Sequence, residues 1–245
     1  MNKIKVAVIG GGAAGFFAAH SVALHHSEAS VTLFEKSSKL LAKVKISGGG
    51  RCNVTHACFA NHELVKFYPR GRKKLRTVFD QFSVQDTFNW FESRGVSLKT
   101  EDDGRVFPMT DNSQSIVDAL SRACEQLGVQ IKTKQEVNAI EHKGLLRLQV
   151  NGQWEEFSHV IVASGGSPKL SGLTWLEQLG HDIIPPVPSL FTFNMPQEPI
   201  KRLMGLSVSN AQVSVMGTNL VQQGPLLITH WGMSGPAILK LSAFS

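Results

Sequence analysis

Gly10, Gly12 and Gly15 form a G-x-G-x-x-G run between an apolar segment and an Ala-rich one, and no other feature of the chain restricts its architecture as tightly. Lys3 to Ile9 is β-branched and small apolar, as a strand requires, and Ala13 to Leu24 has the pattern of a helix. Val31 to Phe34 supplies a second strand. Two parallel strands in one sheet need the intervening helix as a crossover. Each glycine then has a physical reason to be there. Gly10 permits the tight turn, Gly12 admits a pyrophosphate against bare backbone, and Gly15 lets the helix lie close on the sheet. The helix start, with Ala13 and Ala14 in its first turn, presents unpaired N–H groups and a favourable dipole to phosphate. Glu35, twenty residues after Gly15, ends the second strand, where its carboxylate can accept both ribose hydroxyls and repel a 2′-phosphate. Lys36 follows it. The unit predicts a site for a dinucleotide lacking that phosphate, FAD or NAD; the competing reading is a glycine turn with a surface Glu and no ligand.

The totals narrow the class. With 245 residues, 42% hydrophobic and 18% charged, the chain can bury a sizeable core in one or two domains. No apolar run reaches the roughly 18 residues of a membrane span, and the first strand is too short for a signal-peptide core, so a cytoplasmic protein is expected. Cys52, Cys58 and Cys124 form no CxxC pair and no zinc spacing, and the histidines suggest no metal site, so neither disulfides nor a metal is expected. No Ser/His/Asp order or paired carboxylates suggest hydrolysis. The net charge of +6 suits an anionic partner, and Lys66 to Arg76 (KFYPRGRKKLR), with Phe67 and Tyr68 interleaved, is the one stretch resembling a phosphate-tracking patch. A solvated basic loop is the plainer reading, so nucleic acid and membrane are not the expected partners.

After Glu35 the chain does not proceed to another simple βα repeat. Lys36 to His62 is a long excursion containing Ser47-Gly48-Gly49-Gly50, and loops of this length are usually functional or disordered. Leu75 to Gly95 is predicted as helical, with a core-facing stripe of Val78, Phe79, Phe82, Phe88 and Phe91. Val96 to Phe107 is predicted as a hairpin turning at Asp103-Gly104. A helix capped by Asn112 or Ser113 runs through Leu127 and stops at Gly128. Three strand-like runs follow: Val129 to Thr133 continuing towards Ile140, Leu145 to Val150, and Phe157 to Ala163, the last ending in Ser164-Gly165-Gly166. Pro185-Pro186-Val187-Pro188 resembles a linker, and short β-like runs come after it: Leu190 to Met195, Leu206 to Met216, Asn219 to Val221 and Leu226 to Thr229. These divide the chain into a Rossmann-like α/β domain over residues 1–188, with a parallel sheet, helices and a β-hairpin or meander insertion, and the start of a mainly β second domain over 189–245.

The glycine-rich excursion and the late apolar strand ending in Ser-Gly-Gly suit the longer, extended cofactor, FAD. Here the sequence resembles a known family. LLAKVKISGGGRCNVT, within Lys39 to Thr55, is similar to the signature of the HI0933-like or BaiN-type NAD(P)/FAD-dependent oxidoreductases. Gly104-Arg-Val-Phe-Pro108, the VIVASGG strand, Pro188 to Leu190 and THWGMSGPAILKLS from Thr229 to Ser242 match as well. The resemblance implies that Lys43, Ser47, Gly48, Gly49, Arg51, Cys52 and Asn53 form a turn whose donors and basic side chains face the flavin and its ribityl or phosphate groups. Donors there favour the negative charge that develops on hydride uptake. It also implies that Val137 meets adenine through its main chain, and that Ala163, Ser164 and Gly165 make a second turn against the cofactor. Cys52 and His230 are the candidate catalytic residues; for Cys52 packing, and for His230 with Trp231 a structural turn, are the plainer readings.

Two departures from the family stand out. Ser167 to Gly172 replaces a longer Gly, Ser and Thr segment, and family members continue past the position of Ser245 to a terminal glycine-rich stretch and helix, so a fragment or truncated form is expected. The implied activity is transfer of hydride from NAD(P)H through FAD to a small organic acceptor, an enone-like one among the candidates. The rival readings are a flavin-containing RNA-modifying protein and a non-catalytic FAD-binding fragment. No second GxGxxG marks a separate nicotinamide site.

Overall fold

In the computed structural model, which describes residues 4–167 and 169–244, the chain runs β1 (Lys5–Ile9), α1 (Ala13–His25), β2 (Ser30–Glu35) and a short α2 (Ala42–Ile46). There follow β3 (Thr55–His56), α3 (Asn61–Leu64), α4 (Arg72–Phe79), α5 (Val84–Glu92), β4 (Leu98–Thr100), β5 (Arg105–Pro108) and α6 (Gln114–Gln126). Next come β6 (Gln130–Thr133), β7 (Val137–Lys143), β8 (Leu145–Val150), β9 (Gln153–Phe157), β10 (His159–Val162) and α7 (Thr174–Glu177). The last elements are β11 (Phe193–Asn194), β12 (Ser207–Ser214), β13 (Val221–Ile228), β14 (Gly232–Ser234) and α8 (Pro236–Phe244). Lys3, assigned to the first strand from sequence, and Pro168 and Ser245 lie outside the described residues.

A four-stranded sheet of order β10-β1-β2-β6, parallel throughout, organises the first compact unit, Met1–Phe67 with Arg72–Pro185. Side chains of a strand point alternately to opposite faces, and here both faces are covered. Val6, Val8, Val31 and Leu33 join Phe16 and Ala19 of α1 and Ile116, Leu120 and Cys124 of α6 in one buried cluster. Ala7, Ile9 and Phe34 face the other way, onto Ile140, Leu148, Val150 and Phe157 of the antiparallel meander β7-β8-β9. The continuous apolar character of β1 is the consequence of this double burial. A small sheet, β3-β5-β4, carries the hairpin expected at Asp103-Gly104.

Three sequence assignments are corrected. The helix expected over Leu75 to Gly95 is two helices, because Ser83 starts a new one: its Oγ accepts from the Asp86 N–H at 3.3 Å while Asp86 Oδ2 accepts from the Ser83 N–H at 2.7 Å, a capping box. The run from Val129 to Ile140 divides between two sheets, since Lys134 takes a left-handed conformation (φ +55°) and Gln135 N–H donates to the Glu35 carbonyl. The run Phe157 to Ala163 belongs to two strands, β9 of the meander and β10 of the parallel sheet, joined at Ser158, whose N–H donates to the Lys5 carbonyl at 2.8 Å. Gln153–Phe157 is a strand with no clear signal in the sequence, because its exposed Glu and Gln residues dilute the apolar pattern.

The second unit, Tyr68–Gly71 with Pro186–Ser245, is an antiparallel sheet of order β11-β14-β13-β12 under α8. Leu226, Ile228 and Ile238 are its buried centre. The runs Asn219 to Val221 and Leu226 to Thr229, separate in the sequence reading, are bridged into the single strand β13. Gly224, in an extended backbone with positive φ, and Pro225 interrupt the apolar pattern without ending the strand. Gly235 allows the start of α8 to approach: a β-carbon there would stand 2.9 Å from the Pro225 carbonyl oxygen. Among the described residues no helix is long and apolar enough to cross a membrane.

Replacing Ser83 with Ala removes the reciprocal cap of α5. Equilibrium denaturation is expected to show a loss of about 1 kcal/mol, with α5 remaining helical by virtue of its buried Val84 and Phe91.

Candidate functional site

The site assembles at the C-terminal ends of β1, β2 and β10. Gly10 donates its N–H to the Phe34 carbonyl at 2.8 Å, and with φ +114° it passes so near β10 that a β-carbon would lie 2.4 Å from the Ala163 carbonyl oxygen. A β-carbon on Gly15 would lie 1.8 Å from the Gly10 carbonyl oxygen. At Gly12 nothing comes within 4 Å of that position. Two glycines are thus demanded by packing and the third leaves open space. Gly12 is the N-cap of α1, with no side-chain cap and no acidic residue in the first turn, and Ala13 and Ala14 are exposed beside it. The first-turn N–H groups are therefore left to an anion.

Glu35 is held in place. Its Oε2 accepts from the Gly11 N–H and its Oε1 from the Ser37 N–H, both at 2.8 Å. Partial burial works to raise the carboxyl pKa, but these two donors and the neighbouring Lys36 charge outweigh it and hold the group below the usual carboxylate range. Each oxygen keeps a further lone pair for a hydroxyl donor. Lys36 itself is exposed. Glu35 and Lys36 line one cleft of about 300 Å³ with Gly10, Val137, Ser164 and Trp175. Val137 reaches that cleft beside a β-bulge between Val137 and Ala139 in the β7–β8 pair. Ala163 donates its N–H to the Ile9 carbonyl at 2.8 Å, and Gly165 follows with φ +79°, 3.9 Å from Lys43 Nζ when a β-carbon is added. Residues about 150 positions apart are so brought to one edge.

A second cavity, of about 530 Å³, opens beside the first turn of α1. Ala13, Ala14, Lys43, Ser47, Cys52, Asn53 and Thr87 lie along it, and Phe17, Phe82, Trp90, Phe91, Ile116 and Leu120 make it apolar. The turn Ser47–Cys52 that borders it holds four left-handed residues: φ is +56° at Gly48, +69° at Gly49, +87° at Gly50 and +63° at Cys52. A β-carbon on Gly48 would stand 2.8 Å from Asn53 N and 2.9 Å from the Phe107 ring, whereas Gly49 faces open space. Asn53 turns its amide nitrogen to the Thr55 and Val106 carbonyls (2.9 and 3.3 Å).

Arg51 departs from the expectation that its side chain faces a cofactor. Its guanidinium lies 3.9 Å over the Phe107 ring and pairs with Glu101 at 2.5 Å and Asp111 at 3.5 Å. Those acids, with Lys99 and Arg105, form a local charge network that pins the turn to the β4–β5 hairpin. Cys52, expected as a possible nucleophile, is 6% exposed within the main core, and burial pushes its thiol pKa up against the weaker opposing bond from Ser47. At neutral pH it is a thiol, not a thiolate. His230 is exposed in the second unit, edge-on to Trp231 at 4.5 Å, beside a turn closed by the Thr229 N–H to the Gly232 carbonyl and the Gly232 N–H to Thr229 Oγ1. Among the described residues no group of three or more His, Cys, Asp or Glu side chains is placed to hold a metal.

Sequence reasoning missed three supports. Gly11, the unassigned middle of the glycine run, anchors Glu35, and its carbonyl accepts from the Leu41 N–H; a β-carbon would strike Glu35 and Leu40 at 2.9 Å. The run of three glycines was its signal. Leu41, left-handed at φ +52° within the motif, and Ser113 outside it, whose Oγ donates to the Lys45 carbonyl at 2.7 Å and whose N–H donates to the Gly50 carbonyl, hold the excursion. For Ser113 no local signal exists.

Comparison with known proteins places this geometry. Residues 4–235 match the family model described as HI0933-like protein Rossmann domain. The 3-dehydro-bile acid delta(4,6)-reductase of Clostridium scindens is 27% identical over 99% of this chain and 60% of its own length. The ribosomal RNA dihydrouridine synthase of Haemophilus influenzae is 30% identical over 97% of this chain and 60% of its own length. The chain thus spans about 60% of the length of these curated relatives. Among solved structures, a flavocytochrome c3 fumarate reductase in its open conformation is similar with a TM-score of 0.50, at 18% identity over 72% of this chain and 36% of that one, which supports the fold.

The two kinds of glycine have separable tests. Gly15→Ala forces a β-carbon into backbone and is expected to destabilise the ligand-free protein by about 3 kcal/mol or more in thermal melts. Gly12→Asp places a favoured cap at the extended N-cap, so the melting temperature is expected to hold or rise, while dinucleotide affinity measured by equilibrium dialysis falls by at least about tenfold as the carboxylate takes the phosphate donors. The cysteines differ as well. Burial pushes Cys124 up to about 11, and Cys52 in the same direction, so a disulfide reagent at mildly alkaline pH is expected to modify Cys58 alone in the native protein and all three after unfolding.

Proposed function

From a chain that belongs to the HI0933-like Rossmann-domain family, we propose a protein that holds FAD along the C-terminal edge of its parallel sheet and works as a flavin-dependent oxidoreductase. The observation that carries the reading is the convergence of the open Gly12 position, the uncapped start of α1, Glu35, Val137 and the Ala163–Gly165 turn on one edge. The donor set fits the group. Glu35 accepts from the ribose hydroxyls, Val137 borders the adenine through its main chain, and the α1 N–H groups receive the pyrophosphate. Lys43, Ser47 and Asn53 would border the ring end, where the 530 Å³ cavity begins. Its apolar wall excludes water from the reacting centre, and Lys43 supplies positive charge at its polar rim. FAD, when bound there, supplies two-electron hydride chemistry, with NAD(P)H as the reductant.

The acceptor in this proposal is a carbon–carbon double bond conjugated to a carbonyl. A 3-oxo-delta(4,6) system and the uracil ring share that chemistry, and the names of the two relatives describe one each. A second reading, in which the reduced ring is a uracil within RNA, is favoured by the Haemophilus relative's 30% identity over nearly the whole chain. It revises the expectation that nucleic acid is not a partner.

The test is spectroscopic. Purified protein is expected to carry or take up FAD, and anaerobic NADH or NADPH is expected to bleach the flavin band. Addition of a conjugated 3-oxo steroid acid, or of uridine-containing RNA, then restores it. Protein that takes up no FAD removes the proposal. Flavin that neither nicotinamide bleaches leaves the site and removes the reductase.

A further inference from the structure

Several cations of the first unit are neutralised where they stand. Arg51 pairs with Glu101, Lys66 with Glu63, Lys99 with Asp111, Arg105 with Asp103, and Lys143 and Arg147 with Glu141. Helix α4 is different. Arg72, Lys73, Lys74 and Arg76 are all exposed, and among the described residues none of them has a carboxylate within ion-pair distance. Leu75 and Phe79, one turn apart, are the half-buried positions of the helix, so the four cations spread over its outward side. Asp80, the acid nearest in sequence, is turned to Asn61, whose Nδ2 donates to it at 3.1 Å.

This arrangement works against the helix itself. Three of the cations occupy the first turn, at the positive end of the dipole, with no acidic residue there to compensate. A solvated helix ordinarily balances such charges with acids three or four residues away, and α4 contains none. The charge therefore answers to something outside the fold. A membrane surface is a poor match, since a helix lying on lipid needs an apolar face to insert, and the two larger apolar positions of α4 that pack, Leu75 and Phe79, point inward. Five positions before the start of α4 and in the same unit, Phe67 is 61% exposed, edge-on to His56 at 5.1 Å, in a segment that packs against the helix. A basic strip beside an exposed aromatic ring is the combination that tracks a single-stranded backbone and stacks a base.

We propose that α4 is a docking strip for the phosphodiester backbone of single-stranded RNA, with Arg72, Lys73, Lys74 and Arg76 meeting phosphates and Phe67 giving a base a stacking face. The proposal rests on the RNA reading of the acceptor and assigns the surface that reading requires. It is tested with the FAD-loaded protein and a fluorescein-labelled polyuridylate oligonucleotide, by anisotropy over a range of salt concentrations. The variant Arg72→Gln/Lys73→Gln/Lys74→Gln/Arg76→Gln is expected to keep its flavin content and to melt no lower than the native protein, because the dipole conflict is relieved. Its dependence of log affinity on log salt is expected to flatten by about 2 to 3, at about 0.7 for each phosphate no longer neutralised. Phe67→Ala is expected to weaken binding with the salt slope unchanged. A control at Arg122→Gln/Lys143→Gln, exposed cations away from α4, keeps the native slope. If the quadruple variant binds RNA with the native slope, α4 is not the strip although the RNA reading stands. If the native protein binds no oligonucleotide even at low salt, both fall. Binding to phosphatidylserine vesicles that the quadruple variant loses, with oligonucleotide binding intact, overturns the assignment in favour of a lipid surface.

Discussion

Three backbones meet at the end of β1 with no room for a side chain between them. The start of α1 lies so close over Gly10 that a β-carbon on Gly15 would sit 1.8 Å from a carbonyl oxygen, and Gly10 in turn abuts Ala163 at the end of β10. This approach sets the angle at which α1 leaves the sheet, and so the direction in which its first N–H groups point. It also fixes the Gly11 N–H against Glu35 and the Gly11 carbonyl against Leu41 within the excursion. Any separation of α1 from β1 would move the phosphate donors, the acidic residue and the loop anchor together.

A second constraint is local and costly. From Gly48 to Cys52 four of five residues are left-handed, and at Cys52 an L side chain adopts that region at a cost of about 1 kcal/mol or more. The surroundings hold the turn in this form: Ser113, just before α6, donates its N–H to the Gly50 carbonyl, the Phe107 ring fills the space under Gly48, and Arg51 is clamped by Glu101 and Asp111. Arg51 thus acts on the site through the shape of the turn. The basic charge left at the cavity is that of Lys43.

The elements that are legible in the sequence are those whose signal is local. β1, α1 and β2 follow from apolar runs around a glycine turn, and the hairpin at Asp103-Gly104 and the stop at Gly128 follow from residues that tolerate positive φ. Local patterns mislead where two of them touch. The apolar stripe from Leu75 to Gly95 is continuous, yet Ser83 and Asp86 cap a new helix inside it. The run from Val129 to Ile140 is continuous as a strand, yet Lys134 passes it from one sheet to another. Periodicity carries no record of which sheet a strand joins, because either sheet buries the same alternating face.

The residue chemistry at Gly10 to Glu35 determined by itself that this chain builds a βαβ unit, since an apolar strand, a glycine turn and an Ala-rich helix before a second apolar strand leave the helix as a crossover between parallel strands, with an acid at the end of the second. The tertiary structure alone decided which side chains remain free to act there. Arg51 and Cys52 stand in the same motif as Lys43 and Ser47, but ion pairing consumes the first and burial protonates the second. Both effects arise from Glu101, Asp111, Phe107 and the core beneath, residues remote in sequence whose approach no local spacing encodes.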